Sequence, residues 1–261
     1  MVRGLGIFRE RFRTFEGYFT LIGGAACEEW FAALSLSFRA TKDLDLVLMV
    51  EVLDHAFVAA MRAFVAEGGY EIRERSEGIP ILYRFAKPAR DDFPFMLELF
   101  SRNPEGFDLG PGQEIMPVEI ESGQHSLSAI LLDESYYGLI QTHNDLRDGL
   151  RVANATALIP LKAHAWLNLT KRKADGEAVD ARNIDKHRSD VFRLAATLPG
   201  ELGPVMPANI ALDLVTFLRA FPADSAEWPA ILASLKANVG GGLLPEALRE
   251  AIEVHFRLPA T

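Results

Sequence analysis

The 261-residue chain carries 36 acidic against 27 basic side chains, a formal charge of −9, with 49% of its residues apolar and 24% charged. That apolar share sustains a real core and excludes global disorder, and the acidic balance argues against a protein that coats duplex nucleic acid. The one cysteine, Cys27, excludes an internal disulfide; with no apolar run long enough for a bilayer and no pattern of a secretory leader, the expectation is a cytoplasmic protein without membrane association.

Residues 5–16 read as a short amphipathic helix, and 18–22, aromatic and β-branched, as a strand. Gly23 and Gly24 break that strand, and 25–36 continue as a helix with Ala26, Trp30, Ala33 and Leu34 near one face. A strand is expected over 44–50. A helix follows over 53–67, with Phe57, Ala60, Met61 and Phe64 at helical spacing and Gly68-Gly69 as its stop. Three further strands are expected at 70–73, 79–85 and 93–100. Residues 101–113 are rich in turn formers and read as a surface excursion. Short strands are expected at 114–120, 128–132 and 150–153. From about residue 156 the texture turns helical, with helices at 157–171, 178–197, 207–220, 227–237 and 244–256. Strands with helices first and helices alone afterwards predict an α+β unit over 1–155 and a helical unit over 156–261. The fold class expected is therefore α+β, a mixed sheet with flanking helices followed by a helical C-terminal domain that closes a cleft.

The chemistry is expected at "RATKDLDLVLMV". Asp43 and Asp45 are two apart, so a strand turns both to one face while Leu44, Leu46 and Leu48 turn to the other. Two carboxylates about 6–7 Å apart at Cβ repel each other, and a divalent cation relieves that repulsion. Mg²⁺ is commonly held by one or two carboxylates plus substrate phosphates. A third acidic residue on a neighbouring strand would complete a two-ion arrangement. Glu98 is the candidate, the single charge in "FPFMLELF"; its other reading is an exposed residue on a half-covered strand. Gly23 and Gly24 stand where a strand passes into a helix, and missing side chains there let backbone N–H groups approach a phosphate. A tight turn would use the same pair. Neither a phosphate-binding P-loop nor a dinucleotide fingerprint is present.

"LIGGAA" followed after a helix by "RATKDLDL" resembles the opening of the nucleotidyltransferase superfamily, the DNA polymerase β-like fold. Within it the nearest resemblance is to AbiEii-like abortive-infection toxins and the related MenT-type toxins. The resemblance covers roughly residues 18–195. It implies that the glycines grip an NTP, that Asp43 and Asp45 hold metal, and that the third carboxylate is Glu98, where the family more often has Asp. Arg39 and Thr41 match its Arg-x-Thr-x-Asp-x-Asp signature and become nucleotide-binding candidates. Lys162 stands at the family's helix lysine, which is thought to meet nucleotide phosphates. Asp190 matches the final aspartate of a later helical motif, in which Lys186 keeps the cationic place and His187 stands where a carboxylate is common.

The residues allow plainer readings beside these. Lys162 lies in an apolar helix, where a lysine ordinarily reaches for water. Lys186 and Asp190 are four apart and could form a helix ion pair. His187 falls at the edge of an apolar stripe. The activity implied is Mg²⁺-dependent transfer of an NMP from an NTP to an acceptor hydroxyl, in a toxin-like protein with a cognate antitoxin. An RNA acceptor, a tRNA end, would meet the basic run Lys171, Arg172, Lys173, Arg182 and Arg193. Rival readings are a small-molecule or protein nucleotidyltransferase, and a silent nucleotide- or partner-binding module.

Overall fold

The computed structural model describes residues 2–74, 80–102, 115–118 and 127–259. The chain divides into two compact units. One comprises Met1–Glu29 and Ala40–Ala153, the other Trp30–Arg39 and Asn154–Thr261. Trp30–Arg39 therefore counts with the C-terminal helices, although it lies deep in the first half of the sequence.

The first unit is built on an open mixed sheet with strand order β3-β4-β5-β2-β1-β9-β8. These strands are β1 Phe19–Ile22, β2 Asp43–Leu48, β3 Glu71–Glu74, β4 Pro80–Ala86, β5 Met96–Ser101, β8 Asn144–Arg147 and β9 Leu150–Ala153. Two more, β6 Ile115–Val118 and β7 Leu127–Leu131, pair with each other, and β7 also joins β5. β1 runs antiparallel to β2 and parallel to β9, and β2 runs parallel to β5. All four residues of β1 are buried, as a central strand covered on both faces requires. In β2 and β5, leucines point inward while Asp43, Asp45, Met96, Glu98 and Phe100 on the opposite face are half-buried and Val47 is buried.

One face of this sheet packs against aromatic rings. Phe8 and Phe12 of α1 (Leu5–Phe12), Phe19 of β1, and Phe57 and Phe64 of α3 (His55–Gly68) form a continuous set with ring centroids 4.4 to 6.1 Å apart. Such pairs contribute roughly 0.5–1.5 kcal/mol each beyond the area they bury. α3 begins where the Asp54 side chain accepts from Phe57 N at 2.8 Å and ends at Gly69 in the left-handed region. Both ends follow from the residue types.

Several elements depart from the sequence expectation. α2 (Gly23–Ala33) starts at the glycines themselves, so they form its first turn instead of a loop before it. β5 begins at Met96, three residues later than expected. Pro94 has no N–H for a ladder, and Phe93 serves the core instead, packed on Phe64 with its centroid 4.7 Å away. Helix α4 (Glu134–Thr142), capped by Asp133, and strand β8 were not expected at all. β8 and β9 form a hairpin across Asp148-Gly149, both with positive φ, as a tight two-residue turn demands. The excursion expected over 101–113 lies, from residue 103 on, outside the described residues.

The second unit contains α5 (Ala155–Ala174), α6 (Ala181–Ala195), α7 (Ala208–Ala220), α8 (Trp228–Val239) and α9 (Pro245–His255). Trp166, Phe192, Phe217, Phe221 and Trp228 meet in its core. Residues 30–39 belong here because Trp30 Nε1 donates to Thr197 Oγ1 at 2.9 Å and Arg39 Nε to Asp190 Oδ1 at 3.0 Å. Among the described residues, no helix is long and apolar enough to cross a membrane.

Candidate functional site

Strand register decides which side chains meet in the first unit. Asp45 lies opposite Ile22 on β1 and opposite Glu98 on β5. Glu98 in turn lies opposite Arg84 on β4. Directly paired residues share a sheet face, so Arg84, Glu98 and Asp45 form one row across three strands. Asp43, opposite Met96, stands one step along the same face. Asp43, Asp45 and Glu98 are half-buried while the leucines between them are buried. The two-residue spacing thus puts Asp43 and Asp45 on one face, and strand register sets Glu98 opposite Asp45.

Gly23 explains how α2 joins this row. Its φ is +67°, and a Cβ there would stand 1.9 Å from Asp45 Oδ2. The missing side chain is the space that the Asp45 carboxylate occupies, against the first turn of α2. A negative group at a helix N-terminus is favoured there. Gly24 follows in the same turn. Glu98 carries a partner that the sequence did not suggest: Arg84 donates to its Oε1 from Nε at 2.6 Å and again from Nη2. Arg84 is the single charge in the β4 stretch PILYRFA, the same kind of signal that marks Glu98. Among the described residues, no three His, Cys, Asp or Glu side chains are gathered so that they could hold a metal by themselves.

A second cluster lies wholly within the helical unit. Asp190 of α6 is 0% exposed. Arg39 donates to it through a two-pronged contact, Nε to Oδ1 at 3.0 Å and Nη2 to Oδ2 at 2.7 Å. Arg193 Nη1 donates to Oδ1 at 2.6 Å, and Lys162 Nζ lies 3.3 Å from Oδ2. Burial pushes the Asp190 carboxyl up, but Lys162, then Arg39 and Arg193, outweigh it and hold it down at about 2. Three cations thus converge on one buried carboxylate. His187, one turn earlier on α6, is driven down to about 3, chiefly by burial and then by the charges of Lys162 and Lys186. Its ring is neutral near pH 7.

The sequence candidates therefore fall into two groups. Gly23, Gly24, Thr41, Asp43, Asp45 and Glu98 belong to the sheet unit; Arg39, Lys162, Lys186 and Asp190 belong to the helical unit. The signature run changes unit between Arg39 and Ala40. Lys162 does not reach for water: it is 4% exposed and spends its charge on Asp190. His164 turns elsewhere, to Asp213 at 2.7 Å. Asp190 has both oxygens engaged by Arg39, Lys162 and Arg193, which suits holding those cations in place.

The basic run is partly spent on neighbouring carboxylates. Arg172 pairs with Glu177, Arg182 with Asp180, and Arg188 with Asp185 and Glu227. Arg193, expected on an exposed basic surface, is 4% exposed and buried on Asp190 instead. Its spacing of three from Asp190 on one helix was the available signal. Lys171 and Lys173 stand exposed at the end of α5.

No protein-family model matches the chain, and no curated protein does. Among solved structures it is similar to an antigenic nucleotidyltransferase-like protein from Paracoccidioides brasiliensis, at 14% identity over 90% of this chain and 92% of that one, with a TM-score of 0.42. A likeness that remote carries no weight for the chemistry, which stands on the side chains described above.

Proposed function

We propose that the chain is a Mg²⁺-dependent nucleotidyltransferase of the AbiEii-like and MenT-like kind, moving an NMP from an NTP to an acceptor hydroxyl. The observation that carries this reading is the row Asp45–Glu98 with Asp43 beside it, closed by Gly23 against the Asp45 carboxylate. A helix starting on two glycines beside a carboxylate pair suits a metal-bound triphosphate.

The fit to Mg²⁺ rests on the pair and not on a trio. Asp43 and Asp45 offer hard oxygens from one face, and substrate phosphates ordinarily complete such a shell. Glu98 could join a second ion by exchanging its Arg84 partner. When bound, the ion would supply Lewis acidity toward a phosphoryl oxygen and lower the pKa of a hydroxyl. The chain's own contributions are separate from this. The first-turn N–H groups of α2 orient anionic oxygens. Arg39 and Lys162, fixed on Asp190, offer charge to phosphate oxygens, with Thr41 and Lys186 as further nucleotide-binding candidates. The acceptor hydroxyl gives its proton to solvent as its oxygen attacks the α-phosphorus in line, the bond to the bridging oxygen breaks, and pyrophosphate carries the electron pair away.

The acceptor in this reading is an RNA, a tRNA end, meeting Lys171 and Lys173, and the protein acts as a toxin restrained by a cognate antitoxin. A second reading, a nucleotide- or partner-binding module without turnover, is favoured by the Arg84–Glu98 pair, which neutralises the third carboxylate. Incubating the protein with Mg²⁺ and each labelled NTP against tRNA, total protein and small-molecule pools separates these. Label in tRNA supports the full proposal, and label in protein or a small molecule replaces the acceptor. NTP-dependent stabilisation without label favours the silent module.

A further inference from the structure

Helix α8 belongs to the last sixty residues, for which the sequence offered no role. Its C-terminal end grips the stretch that carries Arg39. Asn238 donates from Nδ2 to the Ser37 carbonyl at 3.1 Å, and Ser37 Oγ donates to the Ala237 carbonyl at 3.2 Å. Asn238 also accepts, through Oδ1, from Arg193 Nε at 2.7 Å. Arg193 continues to the Ser234 carbonyl at 2.9 Å and to Asp190 at 2.6 Å. Between these holds lies Phe38, with the Arg39 guanidinium 5.1 Å and the Arg193 guanidinium 5.4 Å from its ring centroid. Residues 37, 38 and 39 are thus restrained at backbone, ring and side chain respectively.

We infer that Asn238 and Arg193 are positioning residues that hold Arg39 ready for the nucleotide phosphates, so that α8 sets NTP affinity without touching the NTP. The inference rests on the phosphate-binding reading of Arg39. Asp190 fixes the orientation of that guanidinium through its Nε and Nη2 edge. A long cationic side chain loses much rotamer freedom when it binds an anion, and fixing it beforehand removes that cost. Arg193 fixes the carboxylate that orients the guanidinium. Asn238 joins Arg193 to the backbone two residues before Arg39. If the arrangement served only to fasten α8 to the helical unit, severing it would lower stability and leave nucleotide affinity alone.

Asn238→Ala cuts both of its links at a half-buried position near a helix end. Thermal unfolding of wild type and variant with and without Mg²⁺-NTP, alongside pyrophosphate alone, gives the test, together with KM and kcat for the labelled NTP. The expected result is a midpoint without ligand close to wild type, a smaller ligand-induced shift, and KM for NTP raised about tenfold with kcat within about threefold. A lowered midpoint with unchanged KM and unchanged ligand shift makes the contact merely structural and overturns the inference. Wild-type values throughout for Asn238→Ala overturn it too. If neither NTP nor pyrophosphate stabilises even the wild type, the nucleotide reading fails and takes this inference with it.

Discussion

The two clusters treat carboxylates in opposite ways. On the sheet, Asp43 and Asp45 stand half-buried, and Asp45 abuts the first turn of α2. In the helical unit, Asp190 is completely buried and ringed by Arg39, Lys162 and Arg193. The first arrangement leaves the carboxylates only partly covered, as the proposed cation site needs. In the second, one carboxylate anchors three cations, as the proposed phosphate contact needs. Under the proposed function a carboxylate is a reagent in one region and a scaffold in the other, and substitutions at the two should separate activity from stability.

Asp190→Asn tests the scaffold half and should have the largest effect on stability. Removing one partner of a buried ion cluster leaves the remaining charges uncompensated, at a cost of about 3–5 kcal/mol. Urea unfolding should show this loss; a change under 1 kcal/mol would mean that Asp190 is no scaffold. Asp43→Asn and Asp45→Asn test the reagent half. Each should lower Mg²⁺-dependent transfer at least about a hundredfold, since metal-assisted charge stabilisation is worth several kcal/mol. Their unfolding free energies should move by no more than about 1 kcal/mol, the scale of a carboxylate at a helix N-terminus. Equal stability losses at Asp45 and Asp190 would erase the contrast.

Gly23→Ala sharpens the reagent side. The new Cβ would collide with Asp45 Oδ2, and the φ of +67° strains any side chain. A stability loss of roughly 1–3 kcal/mol is expected, with transfer impaired because the carboxylate must move.

Acidification separates the groups within the helical cluster. The His187 pKa falls from 6.5 to about 3 on folding, so its contribution to stability is intact above pH 6.5 and lost as pH falls toward 3. The slope is at most about 1.4 kcal/mol per pH unit, reduced by the partial solvent access of the ring. Asp190, also depressed, keeps its contribution above its unfolded value of 3.8 and loses it only as pH falls toward 2. Between pH 6.5 and 4 the His187 slope therefore runs without that of Asp190. In a His187→Gln variant that slope should flatten when unfolding free energy is measured against pH. The smallest effect is expected for Arg84→Ala. The Arg84–Glu98 pair is partly exposed, and such pairs contribute about 1 kcal/mol or less.

Sequence and structure divide the account unevenly. Local rules suffice for α3, where Asp54, the apolar spacing and Gly69 agree, and for the common face of Asp43 and Asp45, which period-two geometry dictates. The β8–β9 hairpin is marked in the sequence by the turn signal Asp148-Gly149. α2 starts on two glycines that argue locally against a helix; the close approach of Asp45 at Gly23 is a tertiary fact.

By itself, the sequence determined the α+β-then-helical order, the acidic pair and the helical placement of Lys162 and Asp190, all consequences of period and residue type along a few neighbouring positions. The tertiary structure alone decided that Arg84 neutralises Glu98, that residues 30–39 join the helical unit, and that Arg39, Lys162 and Arg193 converge on one carboxylate. Those contacts join positions 14 to 151 residues apart in most cases. Apart from Arg193, three residues from Asp190 on the same helix, nothing in local periodicity encodes such partners; strand register and helix packing bring them together, and a carboxylate with no access to water draws in every cation that packing places within reach.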